Sequence, residues 1–294
     1  MRNKDGLSIM KVFIIGSSGF IGKNLQSYLS TKKNFEVTGF SSKDCNLLEF
    51  EQVKKAMQKA DSDTSIIFCA AISRIEEDSW NTMQKNILMM HNFLSSIADK
   101  KVRSIIFFSS SDVYGLPAAN LPITESTLPE PKGYYGISKL ISEKMLGFKL
   151  PLSTPATILR LPGVFGKGDN YQSIIGQFTK KMMSKQAITL NNNGNTKRDY
   201  VEVEDLCRII EHFLSQPYNG VVNIATGKSK PLKEITSIIA KELKAKPEIN
   251  LSETKNDRTS DLAFDNSKLK KLCPGIKLKE LEQGIKKYVR DMKN

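Results

Sequence analysis

Apolar and polar positions divide this chain into short strands and amphipathic helices that follow one another in turn. Lys11-Val12-Phe13-Ile14-Ile15 is a short, mostly apolar run that enters glycines at 16, 19 and 22. Apolar residues at 20, 21, 25 and 29 then take helical spacing, which predicts strand, tight turn and helix. Further strands are predicted over Phe35 to Phe40, Ser65 to Ala71 and Ser104 to Phe108. The last of these is a continuous apolar run of the kind a parallel sheet covers on both faces. Helices are predicted over Glu51 to Lys59 and Asn81 to Ala98, the second with Ile87, Met90, Leu94 and Ile97 at 3-4-3 spacing. Beyond residue 166 the pattern changes. Tyr171 to Ser184, Glu204 to Leu214, Leu232 to Leu243 and Leu278 to Val289 read as helices, Ala187 to Leu190 as a short strand and 191–195 as a polar turn.

The joints between these elements hold the candidate chemistry. Gly16 permits the turn, Gly19 lets backbone amides approach a diphosphate, and Gly22 lets the helix pack on the strand. Ser18, Phe20 and Ile21 complete this candidate cradle, where the helix start offers unpaired amides and a positive dipole end. After the second strand comes Ser41-Ser42-Lys43, two hydroxyls and a cation where a carboxylate would hold the ribose hydroxyls of NAD. Those residues suit the 2′-phosphate of NADP better, although a plain polar loop also accounts for them. Asn46 is placed to meet the adenine edge, and Ala70 and Ala71 are small enough for a cofactor to pass over the sheet edge. The fourth strand delivers Ser109, Ser110, Ser111 and Asp112 at its carboxyl end, where open α/β sheets bind ligands. Tyr135 and Lys139 stand four apart and so share one helical face. A phenol titrates near about 10 in water and a neighbouring ammonium favours the phenolate, so this pair reads as a proton shuttle.

These motifs together resemble the extended short-chain dehydrogenase/reductase family, in particular its NAD(P)-dependent nucleotide-sugar epimerases, dehydratases and ketoreductases. The resemblance covers Gly16, Gly19 and Gly22, the strand end at 109–115, the loop at 122–125, Tyr135 and Lys139, and the segments at 159–166, 197–205 and 222–227. Gly163 stands where the family has asparagine. It implies a Rossmann-type doubly wound parallel sheet over 9–168 and 196–226, with a smaller C-terminal α/β substrate cap over 169–195 and 227–294. It further implies Tyr135 as acid/base, Lys139 as the ligand of the nicotinamide ribose that lowers the Tyr135 pKa, and Ser110 as the hydrogen-bond partner of the reacting oxygen. Ser111, Asp112, Arg198 and Arg258 become candidate substrate contacts, the two arginines because their forks match phosphate geometry. The cofactor is NADP or NAD, with NADP slightly favoured, the substrate a nucleotide-diphosphate sugar, and the assembly a homodimer. The missing acid after the second strand favours reduction of a 4-keto sugar over 4-epimerisation. Dehydration ranks below both, because Ser111 and Asp112 stand where dehydratases carry an Asp-Glu pair. A non-catalytic cofactor-binding regulator ranks lower, since Tyr135 and Lys139 are intact.

Composition adds little beyond this. Lys and Arg exceed Asp and Glu by 44 to 31 in 294 residues, a net charge of +13. The basic residues are spread along the chain and densest in the amphipathic C-terminal third, so solvated helix faces are expected in place of nucleic-acid or membrane binding. Four cysteines and two histidines lack metal-ligand spacing, which predicts free thiols and no structural metal. The polar first ten residues suggest a cytoplasmic protein with no signal peptide.

Overall fold

In a computed structural model, which describes residues 9–151, 153–255 and 259–292, each apolar run becomes the strand or helix its period demands. β1 (Met10–Ile15) buries its last four side chains, and α1 (Phe20–Ser30) buries Gly22, Leu25 and Leu29. β2 (Phe35–Phe40), α2 (Phe50–Ala56), β3 (Thr64–Phe68), α3 (Trp80–Ser96) and β4 (Ser104–Ser110) follow. Every residue of β3 and β4 is buried, as two covered faces require. Next come α4 (Tyr134–Lys149), β5 (Ala156–Leu161), β6 (Gly163–Phe165), α5 (Ile174–Met183), β7 (Ile188–Leu190), β8 (Lys197–Arg198), β9 (Tyr200–Glu202) and α6 (Val203–Ser215). The chain continues with β10 (Gly220–Asn223), β11 (Lys230–Pro231), α7 (Leu232–Leu243), β12 (Ile249–Leu251), α8 (Ser267–Leu272) and α9 (Leu281–Asp291). Local chemistry sets the starts: Ser79 and Thr82 form a capping box on α3, and Ser173 Oγ accepts from Gly176 N at α5.

Six strands make one sheet in the order β10-β5-β4-β3-β1-β2, with β2, β1, β3 and β4 paired in parallel. This is the expected Rossmann-type α/β sheet. The chain steps outward from β1 to β2 and returns on the other side of β1 as β3. The carboxyl ends of β1 and β3 are therefore a topological switch point, where such sheets bind ligands. Two boundaries beside the candidate site differ from the sequence reading. β3 ends at Phe68, so Ala70 and Ala71 lie beyond the sheet, and β4 extends through Ser110. The six-residue α8 is too short for an apolar repeat and was not expected.

Packing separates two compact units, one of residues 1–113, 131–160 and 207–222 and one of 114–130, 161–206 and 223–294. This groups 114–130 and 196–206 by packing with the second unit. The core of the first unit gathers residues such as Ile15, Phe68, Phe93 and Phe107 between sheet and helices, and that of the second gathers Phe165, Ile188, Ile235, Ile285 and Tyr288. Part of the C-terminal basic charge is used inside the second unit instead of facing solvent. Lys279 Nζ lies 2.7 Å from Asp205 Oδ1 and 2.9 Å from Glu202 Oε2, both buried carboxylates, and Lys287 Nζ lies 3.2 Å from Glu204 Oε1. His91 is exposed on α3. Among the described residues, no helix is long and apolar enough to cross a membrane.

Candidate active site

The glycine turn has the steric form its spacing predicts. Gly16 has φ of 92°, and a Cβ there would lie 2.7 Å from Ala70 N, so the ends of β1 and β3 meet backbone to backbone. A Cβ on Gly22 would come within 2.2 Å of Gly16 O, which is why α1 begins so close under the turn. Ser18 and Gly19 are exposed and Phe20 and Ile21 half-buried; the N-cap Gly19 supplies no side chain to α1, and no acidic residue occupies its first turn. The α1 amides are thus open to an anion, and this cradle fits a dinucleotide diphosphate.

At the end of β2 the structure corrects one expectation. An acid is present: the Asp44 carboxylate turns back so that its Oδ2 accepts from Ser41 N at 2.9 Å and Ser41 Oγ at 2.6 Å. These hydrogen bonds hold the Asp44 pKa below the ordinary carboxylate value. Ser41 is occupied, whereas Ser42 and Lys43 stand exposed. Asn46 is exposed as well, its Oδ1 accepting from Leu48 N at 3.1 Å.

The end of β4 and the start of α4 form the candidate chemical centre. Ser109, Ser110 and Ser111 are all buried. Ser109 Oγ donates to Glu143 Oε1 at 2.5 Å, while Ser110 Oγ accepts from Asp112 N at 3.1 Å. Asp112 Oδ2 lies 2.9 Å from Arg74 Nε. On α4, Tyr135, Lys139 and Glu143 follow one another at every fourth position, so one helical stripe carries all three. Lys139 is buried and donates from Nζ to Phe108 O at 2.7 Å, which ties α4 to the strand just before the serines. Burial pushes the Lys139 pKa down to about 8.

Tyr135 departs from expectation. Its pKa is raised, first by burial and then by the Asp112 carboxylate, with Arg74 opposing. Lys139 Nζ donates to the Phe108 carbonyl and sits 5.6 Å from the centre of the Tyr135 ring.

Three residues that sequence reasoning passed over brace this centre. Glu143 accepts from Arg160 Nε at 3.0 Å and from Arg160 Nη2 at 2.7 Å, a bidentate pair with both side chains about 5% exposed. Arg160 gave a signal: a charge inside the apolar run of β5 demands a buried partner. Asp78 Oδ1 accepts from Tyr135 N at 2.8 Å, covering an amide in the first turn of α4. Asn86 braces the backbone after β3: its Oδ1 accepts from Ile72 N at 2.8 Å and its Nδ2 donates to Ile72 O at 3.0 Å.

Of the candidate arginines, Arg198 belongs to the second unit, where Nη1 donates to Lys197 O at 2.8 Å and Ser260 O at 2.7 Å. Arg258 lies outside the described residues.

Comparison with known proteins agrees with this geometry. The model of the NAD dependent epimerase/dehydratase family matches residues 12–225. A GDP-6-deoxy-D-talose 4-dehydrogenase of Aggregatibacter actinomycetemcomitans is 28% identical, over 88% of this chain and 90% of that protein. A GDP-6-deoxy-D-mannose reductase of Pseudomonas aeruginosa is 26% identical, over 78% of this chain and 79% of that protein. Among solved structures, RMD from Pseudomonas aeruginosa complexed with NADPH superposes with a TM-score of 0.84 at 23% identity, covering 96% of this chain and 98% of that one. The Thermus thermophilus UDP-glucose 4-epimerase complex with NAD gives a TM-score of 0.82 at 20% identity, covering 97% of this chain and 99% of that one. The chain belongs to the NAD dependent epimerase/dehydratase family and is an NAD(P)-dependent enzyme of the extended short-chain dehydrogenase/reductase kind.

Proposed function

We propose that this enzyme reduces the 4-keto group of a nucleoside-diphosphate sugar with NADPH. The observation that carries the reading is the end of β2, where Ser42 and Lys43 are exposed to a 2′-phosphate while Asp44 is folded onto Ser41. The cofactor, when bound, supplies hydride to the sugar carbon. On this reading Tyr135 gives its proton to the sugar oxygen, Ser110 hydrogen-bonds that oxygen, and Lys139 holds the nicotinamide ribose. Gly16, Ser18, Gly19, Phe20, Ile21 and Gly22 would cradle the diphosphate, with Ala70 and Ala71 under the cofactor and Asn46 at the adenine. Ser111, Asp112 and Arg198 are the proposed substrate contacts, and 169–195 with 227–294 the proposed substrate cap. Two relatives named for GDP-linked 6-deoxy sugars support a 4-keto-6-deoxyhexose as the sugar.

The test is to denature fresh protein, identify released nucleotide by mass spectrometry, titrate the emptied protein with NADH and NADPH, and assay GDP- and dTDP-linked 4-keto-6-deoxyhexoses. The expected result is an empty protein that binds NADPH more tightly and reduces one of these sugars. Lys43→Ala should weaken NADPH about 10-fold and leave NADH unchanged, the worth of one charge-assisted phosphate contact. Stoichiometric NAD retained through purification would instead establish the 4-epimerase.

A homodimer joined through α3 and α4 is part of this proposal. Leu88 on α3 is exposed and Phe148 on α4 is 82% exposed, a cost to a chain that stays monomeric. Leu88→Asp combined with Phe148→Asp should convert a sedimenting dimer to monomer, and an unchanged sedimentation coefficient would remove these helices from the interface.

A further inference from the structure

Of the three serines at the carboxyl end of β4, Ser109 has no role in the proposed reaction, yet it is bonded to α4. Its Oγ donates to Glu143 Oε1 at 2.5 Å, and the same carboxylate accepts from Arg160 Nε at 3.0 Å and from Nη2 at 2.7 Å. Ser109 lies on β4 and Arg160 on β5, neighbours in the sheet, so Glu143 is held over two adjacent strands. One turn earlier on α4, Lys139 Nζ donates to Phe108 O at 2.7 Å and lies 5.0 Å from the centre of the Phe107 ring. Ser109, Lys139, Glu143 and Arg160 are all buried, where water does not compete for these bonds. Two side chains of α4, a turn apart, thus fasten the helix to β4 at successive residues, 108 and 109.

A helix held at one point can pivot about it, and a second bond a turn away removes that freedom. Tyr135 and Glu143 lie about 6 Å along the axis on either side of Lys139. A pivot that displaces Glu143 therefore swings Tyr135 by a similar distance in the opposite sense. We propose that Ser109 is a positioning residue, which through Glu143 fixes the orientation of α4 on β4 and so holds Tyr135 in place relative to Ser110, the next residue of the strand. Loss of the Ser109 hydroxyl leaves Glu143 paired with Arg160, so no buried charge is stranded. What is lost is the link between that pair and the strand that carries Ser110. Displacing a reacting group by about 1 Å costs about 10²-fold in rate, and the bond from Lys139 to Phe108 O that remains limits the swing to less than this. The inference rests on Tyr135 as the acid of the proposed reduction.

The experiment compares the parent, Ser109→Ala, Ser104→Ala, Tyr135→Phe and Ser109→Ala with Tyr135→Phe. Ser104 is the control: it is buried on the same strand, and its Oγ donates to Ser65 Oγ at 2.9 Å, which ties β4 to β3. In ligand-free protein labelled with 13Cζ-tyrosine, the Tyr135 resonance is assigned by its loss in Tyr135→Phe. Ser109→Ala should move that resonance, and Ser104→Ala should leave it in place. With NADPH and the 4-keto sugar, Ser109→Ala should lower kcat about 10-fold with KM changed less than about 3-fold, whereas Ser104→Ala should keep kcat within about 2-fold of the parent. In the Tyr135→Phe background, adding Ser109→Ala should change kcat less than about 2-fold, because a residue that acts through the Tyr135 hydroxyl then has nothing left to position. A resonance unmoved by Ser109→Ala, or moved as far by Ser104→Ala, overturns the proposal. So does a kcat that Ser109→Ala leaves unchanged, or a loss that persists undiminished in the Tyr135→Phe background. A parent that turns over no 4-keto sugar overturns the functional reading alone, because the resonance requires neither substrate nor cofactor.

Discussion

Replacing Tyr135 by Phe should lower kcat by about 10³-fold while leaving NADPH affinity within about 2-fold, because the substitution removes only the acid's oxygen. The ring stays on α4, the Asp78 contact to its backbone N is untouched, and Lys139 keeps its bond to Phe108 O. Cofactor binding, read by quenching of protein fluorescence, and single-turnover reduction, read by loss of NADPH absorbance, separate the two quantities. Lys139→Met supplies the contrast. Lys139 is the proposed ribose ligand, so its loss should weaken NADPH as well as slow the reaction. A Tyr135→Phe enzyme that retained more than about a tenth of parental kcat would assign the acid elsewhere, with Ser110 or Ser111 the next candidates.

Replacing Glu143 by Leu should destabilise the fold by about 3–5 kcal/mol, the cost of leaving one member of a buried ion pair without the other. Arg160 would keep its guanidinium inside β5 with its bidentate carboxylate gone, and Ser109 would lose its 2.5 Å acceptor. The urea midpoint measures the loss. Adding Arg160→Met should recover most of it, since an apolar pair of similar volume replaces an ion pair at little net cost. A single-variant loss below about 1 kcal/mol would mean that water reaches the pair. The consequence for activity follows from position: Glu143 sits one turn beyond Lys139 and anchors the helix that carries Tyr135. Glu143→Gln, which preserves shape and part of the hydrogen bonding, should fall between parent and Glu143→Leu in stability.

Much of this arrangement was legible in the sequence because it depends on local rules. The strand, glycine turn and helix at 11–25 follow from period and from glycine's steric freedom, and the structure adds only the close partners, Ala70 N above Gly16 and Gly16 O against Gly22. Tyr135 and Lys139 share a face because a helix returns every fourth residue to the same side. Ser110 lies at a strand's carboxyl end because the apolar run stops there. Each of these depends on residues a few positions apart.

What the sequence could not reveal were the side-chain partners supplied from a distance. Asp44 was visible three residues past Ser41, but only the turn of the chain shows its carboxylate closing on that serine. Arg74, Asp78, Glu143 and Arg160 gain their meaning from contacts spanning 17 to 57 positions. The state of Tyr135 shows the difference most clearly. Spacing placed an ammonium beside the phenol, and from spacing alone a lowered proton affinity followed. Tertiary structure engages that ammonium with the Phe108 carbonyl and half-buries Tyr135, whose pKa is raised instead, first by burial and then by the Asp112 carboxylate. By itself the sequence determined the fold, the family and which candidate residues share a helical face or a strand end, because periodicity and turn chemistry are local. Only the tertiary structure decided which charges meet those residues, because burial and Coulomb interaction depend on distances in space that the order of residues does not record.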